Sequence, residues 1–124
     1  MAKVRILVVD DSPFIHKAVA RFFENDEKFE IVGSAYNGKE GSAMYFELKP
    51  DVVIMDIVMP IMDGLAAAQE ILSKDSQARI IIQSGMQDDE LVKKARQMGI
   101  KEFILKPVKE GELKKIISAL VYNR

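Results

Sequence analysis

Four short runs of mostly apolar residues recur along this chain, and each is followed by a polar residue. The runs are Val4–Val9, Asp51–Met55, Arg79–Gln83 and Glu102–Leu105, and the residues that follow them are Asp10 with Asp11, Asp56, Ser84 and Lys106. Such near-continuous runs are typical of parallel strands that are covered by helices on both faces. Because the carboxyl ends of parallel strands share one edge of a sheet, these polar residues are predicted to converge there.

The segments between these runs carry the spacing of amphipathic helices. Ser12-Pro13 is a typical helix start, and the apolar residues after it are predicted to form one buried face. That face comprises Phe14, Ile15, Ala18, Val19 and Phe22. The segment Phe29–Ala35 alternates between polar and apolar residues, which indicates a further strand at an edge of the sheet. Asp88-Asp89-Glu90 places negative charge where another helix is predicted to begin.

Five strands alternating with five helices predict a doubly wound α/β fold, with residues 1–124 forming a single domain. Two strand orders are common in such sheets. The flavodoxin-like order 2-1-3-4-5 is favoured because it places the first and third strands side by side. Those are the strands that end at Asp10-Asp11 and at Asp56, so their carboxylates flank the point where the strand order reverses.

Composition narrows the classes of function. The net charge of −1 gives the chain no overall attraction to nucleic acid or to an anionic membrane. The absence of cysteine excludes disulfides, thiolate nucleophiles and cysteine-held metals. No apolar stretch reaches the roughly 18 residues of a membrane span, and the first strand begins too early for a signal peptide. We therefore expect a cytoplasmic protein that binds neither nucleic acid nor membrane.

The strand-end carboxylates indicate a metal site. Three carboxylates as close as Asp10, Asp11 and Asp56 cannot all stay ionised without positive charge, and Lys106 supplies only one unit. An all-oxygen site open to solvent on one side suits Mg²⁺. The Asp10-Asp11 pair alone would equally be a helix cap. Its coincidence with Asp56 and Lys106 at matching strand ends favours the metal site.

Asp56 is the candidate nucleophile because it alone ends the central strand. A carboxylate beside a metal can attack a phosphoryl group in line and become an acyl phosphate. Lys106 and Ser84 are candidates to bind phosphate oxygens, and the backbone N–H of Val58 or Gly85 is a further donor. The chain has no glycine-rich phosphate loop and hence no predicted ATP site, so the phosphoryl donor is predicted to be another molecule.

Four motifs carry a resemblance to a known family. They are Val8–Ser12, Met55–Gly64, Ser84-Gly85 and Phe103–Pro107. Together they resemble the receiver domains of response regulators in two-component signalling, most of all the stand-alone CheY-like kind, and the resemblance spans the whole chain. It implies a signalling switch that supports its own phosphotransfer and autodephosphorylation and is not a turnover enzyme for metabolites.

The resemblance also implies roles for individual residues. Asp56 would accept a phosphoryl group from a phosphohistidine of a sensor histidine kinase. Mg²⁺ would be bound directly by Asp11, Asp56 and the carbonyl of Val58, with Asp10 acting through water. Since no effector domain is attached, the output is expected to be binding to a downstream protein, such as a flagellar motor switch in chemotaxis or another regulatory target.

Two switch residues depart from the commonest family pattern. Ser84 stands where threonine is usual, and it keeps the hydroxyl that is expected to move toward the phosphoryl group. Phe103 stands where tyrosine is common, and it is expected to turn inward into the space that Ser84 vacates. Phe103 lacks the tyrosine hydroxyl that contacts a bound target, so a target that uses this contact is expected to bind more weakly.

Two other classes of function fit the sequence less well than a signalling switch. A phosphatase of the haloacid dehalogenase kind has a second aspartate two residues after the nucleophile, where this chain has Val58. A flavin mononucleotide module needs a phosphate-binding loop after the first strand, where Asp10-Asp11-Ser12 would repel phosphate without a metal. His16, the single histidine, is expected to be a surface or partner-contact residue rather than a phosphohistidine.

Overall fold

A computed structural model of the chain describes residues 2–85 and 89–122. Within these ranges, strands and helices alternate from end to end, as the pattern of the sequence predicts. The elements are β1 Val4–Val9, α1 Pro13–Phe22, β2 Phe29–Ala35, α2 Gly38–Leu48, β3 Val52–Asp56, α3 Gly64–Lys74, β4 Ile80–Ser84, α4 Asp89–Gln97, β5 Glu102–Leu105 and α5 Glu110–Tyr122. Of the acidic start predicted for α4, Asp88 lies outside the described residues.

The five strands form one parallel sheet in the order β2-β1-β3-β4-β5, which confirms the predicted fold class and strand order. β2 lies at an edge of the sheet, as its alternating pattern indicates. The strand register aligns the carboxyl ends: Val9 pairs with Met55, Asp56 with Gln83, and Ser84 with Leu105. The residues that follow β1, β3, β4 and β5 therefore meet at one edge.

Both faces of the sheet are covered, which explains why the strands are apolar at nearly every position. Leu7, Val53 and Ile82 belong to a core cluster on the face that carries α2, α3 and α4. Ile54 and Ile81 belong to a second cluster, on the face that carries α1 and α5. Alternate residues of one strand thus enter different cores, and neither face of the central strands is left to solvent.

The predicted buried face of α1 is wrong in part. Phe14 is 81% exposed and Ala18 is also exposed, whereas His16 and Val19 are buried. A helix turns by about 100° per residue, so Phe14 lies about 200° around the axis from His16. The inward position is taken by His16 because its ring nitrogen bonds to backbone carbonyl groups at the ends of β1 and β2.

The turn between β3 and α3 leaves no room for a side chain at Gly64. The Gly64 N–H donates to the Ile57 carbonyl oxygen at 2.7 Å, and an added Cβ would overlap the Asp56 carbonyl oxygen. We expect Gly64→Ala to lower the free energy of unfolding by about 2–3 kcal/mol, because backbone rather than a flexible side chain has to move. Urea unfolding at neutral pH measures this loss.

Gly111→Ala is the matched control for that substitution. Gly111 lies in α5, and an added Cβ would meet no atom of the described residues within 4 Å. Alanine restricts the unfolded chain and favours the helix, so this variant is expected to gain up to about 0.5 kcal/mol. Equal unfolding free energies for the two variants would contradict the predicted clash at Asp56.

Candidate functional site

Three carboxylates converge at the carboxyl edge of the sheet. Asp10 and Asp11 follow β1 and Asp56 ends β3, and each offers an oxygen that lies within 4.8 Å of the others. Asp10 and Asp56 are buried, whereas Asp11 is exposed. The proximity predicted from the strand ends is therefore confirmed, and the cluster opens to solvent on the side of Asp11.

Lys106 places its ammonium group between the two buried carboxylates. Its Nζ lies 2.8 Å from Oδ2 of Asp10 and 3.3 Å from Oδ2 of Asp56. The lysine directly follows β5, and its backbone N–H donates to the Ser84 carbonyl oxygen at 2.9 Å. The peptide bond between Lys106 and Pro107 is cis. The ends of β4 and β5 are thus tied together where the lysine turns toward the carboxylates.

The fully buried Asp10 receives hydrogen bonds on both carboxylate oxygens. The Ser12 N–H donates to Oδ1 at 2.8 Å, and the Gln83 amide donates to Oδ2 at 3.1 Å beside the Lys106 ammonium. Ser12 is the N-cap of α1, as the sequence indicates, but its side chain makes no capping hydrogen bond. The Asp10 carboxylate is therefore held by Ser12 in its own turn, by Gln83 of β4 and by Lys106, which follows β5.

Gln83 is a site residue that sequence reasoning missed, because it lies within a mostly apolar strand. It is 0% exposed, and its side chain reaches across β3 to Asp10 on the far side. Among the described residues its Oε1 atom has no hydrogen-bond partner. The available signal was a polar residue directly after the three isoleucines of β4.

His16 is buried, which corrects its expected place on the surface. Its Nε2 lies 2.8 Å from the Asp10 carbonyl oxygen and 3.1 Å from the Ala35 carbonyl oxygen. Both partners are acceptors, so Nε2 carries the proton and donates. The ring also stacks at a tilt on Tyr36, with 4.4 Å between centroids. His16 is thus a structural clamp on the backbone that carries Asp10.

Burial and charge act on the titrating groups of the cluster. Burial raises the pKa of Asp56 and the negative charge of Asp10 raises it further, while Lys106 partly offsets both. Burial by itself lowers the pKa of Lys106, but its hydrogen bonds and charge interactions with Asp10 and Asp56 outweigh burial and raise it. The lysine therefore stays charged, and ionised Asp56 is disfavoured as long as no further cation is near.

The predicted switch residues lie beside this cluster rather than in it. Ser84 and Phe103 both line a cavity of about 250 Å³, together with Ile57 and other apolar residues. The Arg96 guanidinium lies over the Phe103 ring, 4.9 Å from its centroid. Gly85 is exposed, and a Cβ there would meet no described atom within 4 Å, so its backbone is open to a ligand.

Comparison with known proteins decides the family. A sequence profile of the response regulator receiver domain matches residues 6–118. The chain belongs to this family. The chemotaxis protein CheY of Treponema pallidum is 40% identical over 96% of this chain and 84% of its own length. The CheY of Halobacterium salinarum is 42% identical over 95% of this chain and 96% of its own.

A solved structure of the CheX–CheY–BeF₃–Mg²⁺ complex from Borrelia burgdorferi matches this receiver domain with a TM-score of 0.86. The identity is 32%, and the match covers 94% of this chain and 87% of that one. This receiver domain is a phosphorylation-activated signalling switch of the response-regulator family, not a metabolic enzyme. Family membership decides against the phosphatase and flavin-binding alternatives.

The donor set of the receiver domain fits the Mg²⁺ that its family binds. Asp10, Asp11 and Asp56 supply only oxygen atoms, and Lys106 is the one cation that pairs with them in the described part of the chain. Three negative charges against one positive charge leave a deficit that a divalent hard cation balances. Across residues 2–85 and 89–122, no helix has the length and apolar character to cross a membrane.

Proposed function

We propose that this receiver domain accepts a phosphoryl group on Asp56 from a phosphohistidine of a sensor histidine kinase. The observation that carries the proposal is the Lys106 ammonium, which contacts Asp10 and Asp56 in a cluster of three carboxylates. An aspartate with a cation beside it and an open side toward solvent has the arrangement that phosphoryl transfer needs. Asp11 marks that open side because it is exposed.

In the proposed transfer, a carboxylate oxygen of Asp56 attacks phosphorus and forms the new P–O bond. The P–N bond to the donor histidine breaks, and its electron pair stays on the imidazole nitrogen. The Ile57 N–H, which donates to Oδ1 at 2.9 Å, orients the carboxylate. The Lys106 ammonium lies 3.3 Å from Oδ2 and would bind an oxygen of the arriving group.

We propose that Asp11, Asp56 and the carbonyl of Val58 hold Mg²⁺ directly, with Asp10 acting through water. When bound, Mg²⁺ would neutralise charge that builds up on the phosphoryl oxygens. Val58 is 64% exposed and lies two residues after the proposed acceptor, which is compatible with a ligand role for its carbonyl. Asp10 is the most deeply buried of the three carboxylates, which suits a residue that acts through water rather than directly on the metal.

We propose that Ser84, Gly85 and Phe103 sense the phosphoryl group and change position when it is bound. The Ser84 hydroxyl and the Gly85 N–H would bind phosphoryl oxygens, and Phe103 would turn into the space that Ser84 leaves. The cavity that Ser84 and Phe103 share supports this coupling, because a shift of one side chain changes the room for the other. The domain would also hydrolyse its own acyl phosphate, which returns the switch to its starting state.

The proposed output is a change in affinity for a downstream protein. CheY relatives at about 40% identity are chemotaxis proteins, so a motor switch or another chemotaxis component is the first class of target. The Borrelia burgdorferi CheY forms a complex with CheX, which makes a protein of that kind a second candidate. We further propose that residues 1–124 act as a single cytoplasmic receiver domain without contacting DNA or membrane.

Labelling with acetyl phosphate tests the acceptor. Intact-mass spectrometry is expected to show one added phosphoryl group only when Mg²⁺ is present, and peptide mapping is expected to place it on Asp56. Asp56→Asn is expected to lose the label completely. Asp75→Asn is the control, because Asp75 accepts the Tyr45 hydroxyl hydrogen bond away from the site and the label should persist. Persistent labelling of Asp56→Asn would overturn the assignment.

A further inference from the structure

Gln83 occupies a place where an apolar residue would be expected. It lies in β4, paired with Asp56 on one side and Ile104 on the other, and no part of it is exposed. One end of its amide donates to Oδ2 of Asp10 at 3.1 Å, while its Oε1 has no partner among the described residues. A buried carbonyl oxygen without a donor costs stability. This cost offsets the gain from the hydrogen bond to Asp10, so the net contribution of Gln83 to folding is expected to be small.

We propose that Gln83 is a positioning residue, which holds the Asp10 carboxylate in the orientation that Mg²⁺ binding requires. The inference rests on the proposed function, since it assigns Asp10 to the metal site. Gln83 would not touch the metal or the phosphoryl group. It would act through Asp10, by fixing which of the two carboxylate oxygens faces the site.

The hydrogen bonds of Asp10 show how this works. A carboxylate has about four acceptor positions, two on each oxygen. Lys106 and Gln83 occupy the two on Oδ2, whereas the Ser12 N–H occupies one on Oδ1. One position on Oδ1 is therefore left to accept from a metal-bound water. Without Gln83, Oδ2 would also have a vacant position, and the carboxylate could rotate.

The two donors on Oδ2 are not equivalent. The Lys106 ammonium is shared, because it also lies 3.3 Å from Asp56. Among the described residues, the Gln83 side chain donates to Asp10 alone, from the interior of a strand whose backbone is paired on both sides. Its donor thus stays on Asp10 whichever carboxylate the lysine favours. Residues outside the direct ligand set, of which Asp10 would be one, commonly change metal affinity by an order of magnitude or more when they are disturbed.

Gln83→Met separates positioning from folding. Methionine keeps the length and volume of glutamine but removes both the donor and the unpaired oxygen. We expect the metal-free variant to unfold at the same urea concentration as the parent or a higher one. We expect its dissociation constant for Mg²⁺, from amide shifts in a ¹⁵N NMR titration, to rise about tenfold. Gln83→Leu provides a second apolar variant if methionine packs poorly.

Ile81→Met is the matched control, because Ile81 lies on the same strand in the core and makes no hydrogen bond to Asp10. Its Mg²⁺ affinity is expected to equal that of the parent. If Gln83→Met and Gln83→Leu both bind Mg²⁺ like the parent, the positioning role is overturned while the proposed function stands. If the parent itself does not bind Mg²⁺, the proposed function fails and the positioning role fails with it.

Discussion

Replacing Asp56 with asparagine is expected to stabilise the metal-free domain at neutral pH while it abolishes phosphoryl acceptance. Asp56 is buried, and its pKa is raised first by burial and then by the charge of Asp10. The folded state therefore binds the Asp56 proton more tightly than the unfolded state does. At neutral pH the ionised carboxylate opposes folding, and its removal should add about 1–2 kcal/mol to the free energy of unfolding.

The gain in stability expected for Asp56→Asn depends on pH. Because the folded pKa of Asp56 lies above the unfolded value of 3.8, the cost of ionisation grows as pH rises from 3.8 through the folded pKa. The gain from Asp56→Asn should therefore shrink as pH falls toward 3.8 and be absent below it. Urea unfolding of the parent and the variant at a series of pH values measures this difference.

Asp10→Asn is the control for that prediction, because it removes a neighbouring charge from a different environment. Asp10 receives hydrogen bonds from Ser12, Gln83 and Lys106, so its charge is compensated and its loss is expected to destabilise. A higher free energy of unfolding for Asp56→Asn and a lower one for Asp10→Asn would show that the ionised carboxylate of Asp56 opposes folding, whereas that of Asp10 does not. A loss of stability in Asp56→Asn would contradict the claim that the ionised Asp56 carboxylate opposes folding.

The fold was predictable because nearly every local signal agrees with it. The strand runs are apolar on both faces, and their spacing leaves room for one helix each, which restricts the topology to a few solutions. Glycine is a weak helix former, yet Gly41 lies inside α2. An added Cβ there would lie 2.8 Å from Cγ1 of Val9, so glycine permits the close packing of α2 on β1. Tertiary packing thus outweighs a weak local preference.

The parts of the site that sequence alone revealed are those at strand ends. Asp56 and Lys106 follow from the rule that parallel strands share one carboxyl edge. Gln83 and His16 act through neighbours that only the folded chain defines: Asp10 across the sheet and the backbone carbonyl groups of β1 and β2. Phe14 was misplaced because several apolar residues of α1 fit more than one helix face, and the buried histidine selected between them.

Lys106→Met is expected to be the most destabilising change in the site and to increase the stabilising effect of Mg²⁺. Without the ammonium, the fully buried Asp10 and the buried Asp56 face each other as like charges. Removing one partner of a buried ion pair commonly costs about 3–5 kcal/mol; since Lys106 is partly exposed, we expect about 3 kcal/mol. The raised pKa of Lys106 means that this contribution is present below 10.5 and lost only as pH rises through the folded value.

Mg²⁺ should restore more stability to Lys106→Met than it adds to the parent. The lysine and the metal compensate the same carboxylates, so removal of one increases the differential binding of the other to the folded state. Thermal unfolding with and without Mg²⁺ measures this. In a double-mutant cycle, Asp10→Asn is expected to cost less in the Lys106→Met background than in the parent, because the buried charge is then already unpaired.

Lys114→Met is the matched control, because it removes the same charge and keeps the same side-chain length as Lys106→Met does. Lys114 pairs with Asp26 at 2.8 Å and with Glu110 at 3.1 Å, and both partners are more exposed than Asp10 and Asp56. Exposed ion pairs contribute up to about 1 kcal/mol, so this variant should lose little stability and respond to Mg²⁺ as the parent does. If Lys106→Met behaved in the same way, Lys106 would not be the counter-charge of the site, and the proposed phosphoryl acceptor would lose its main physical support.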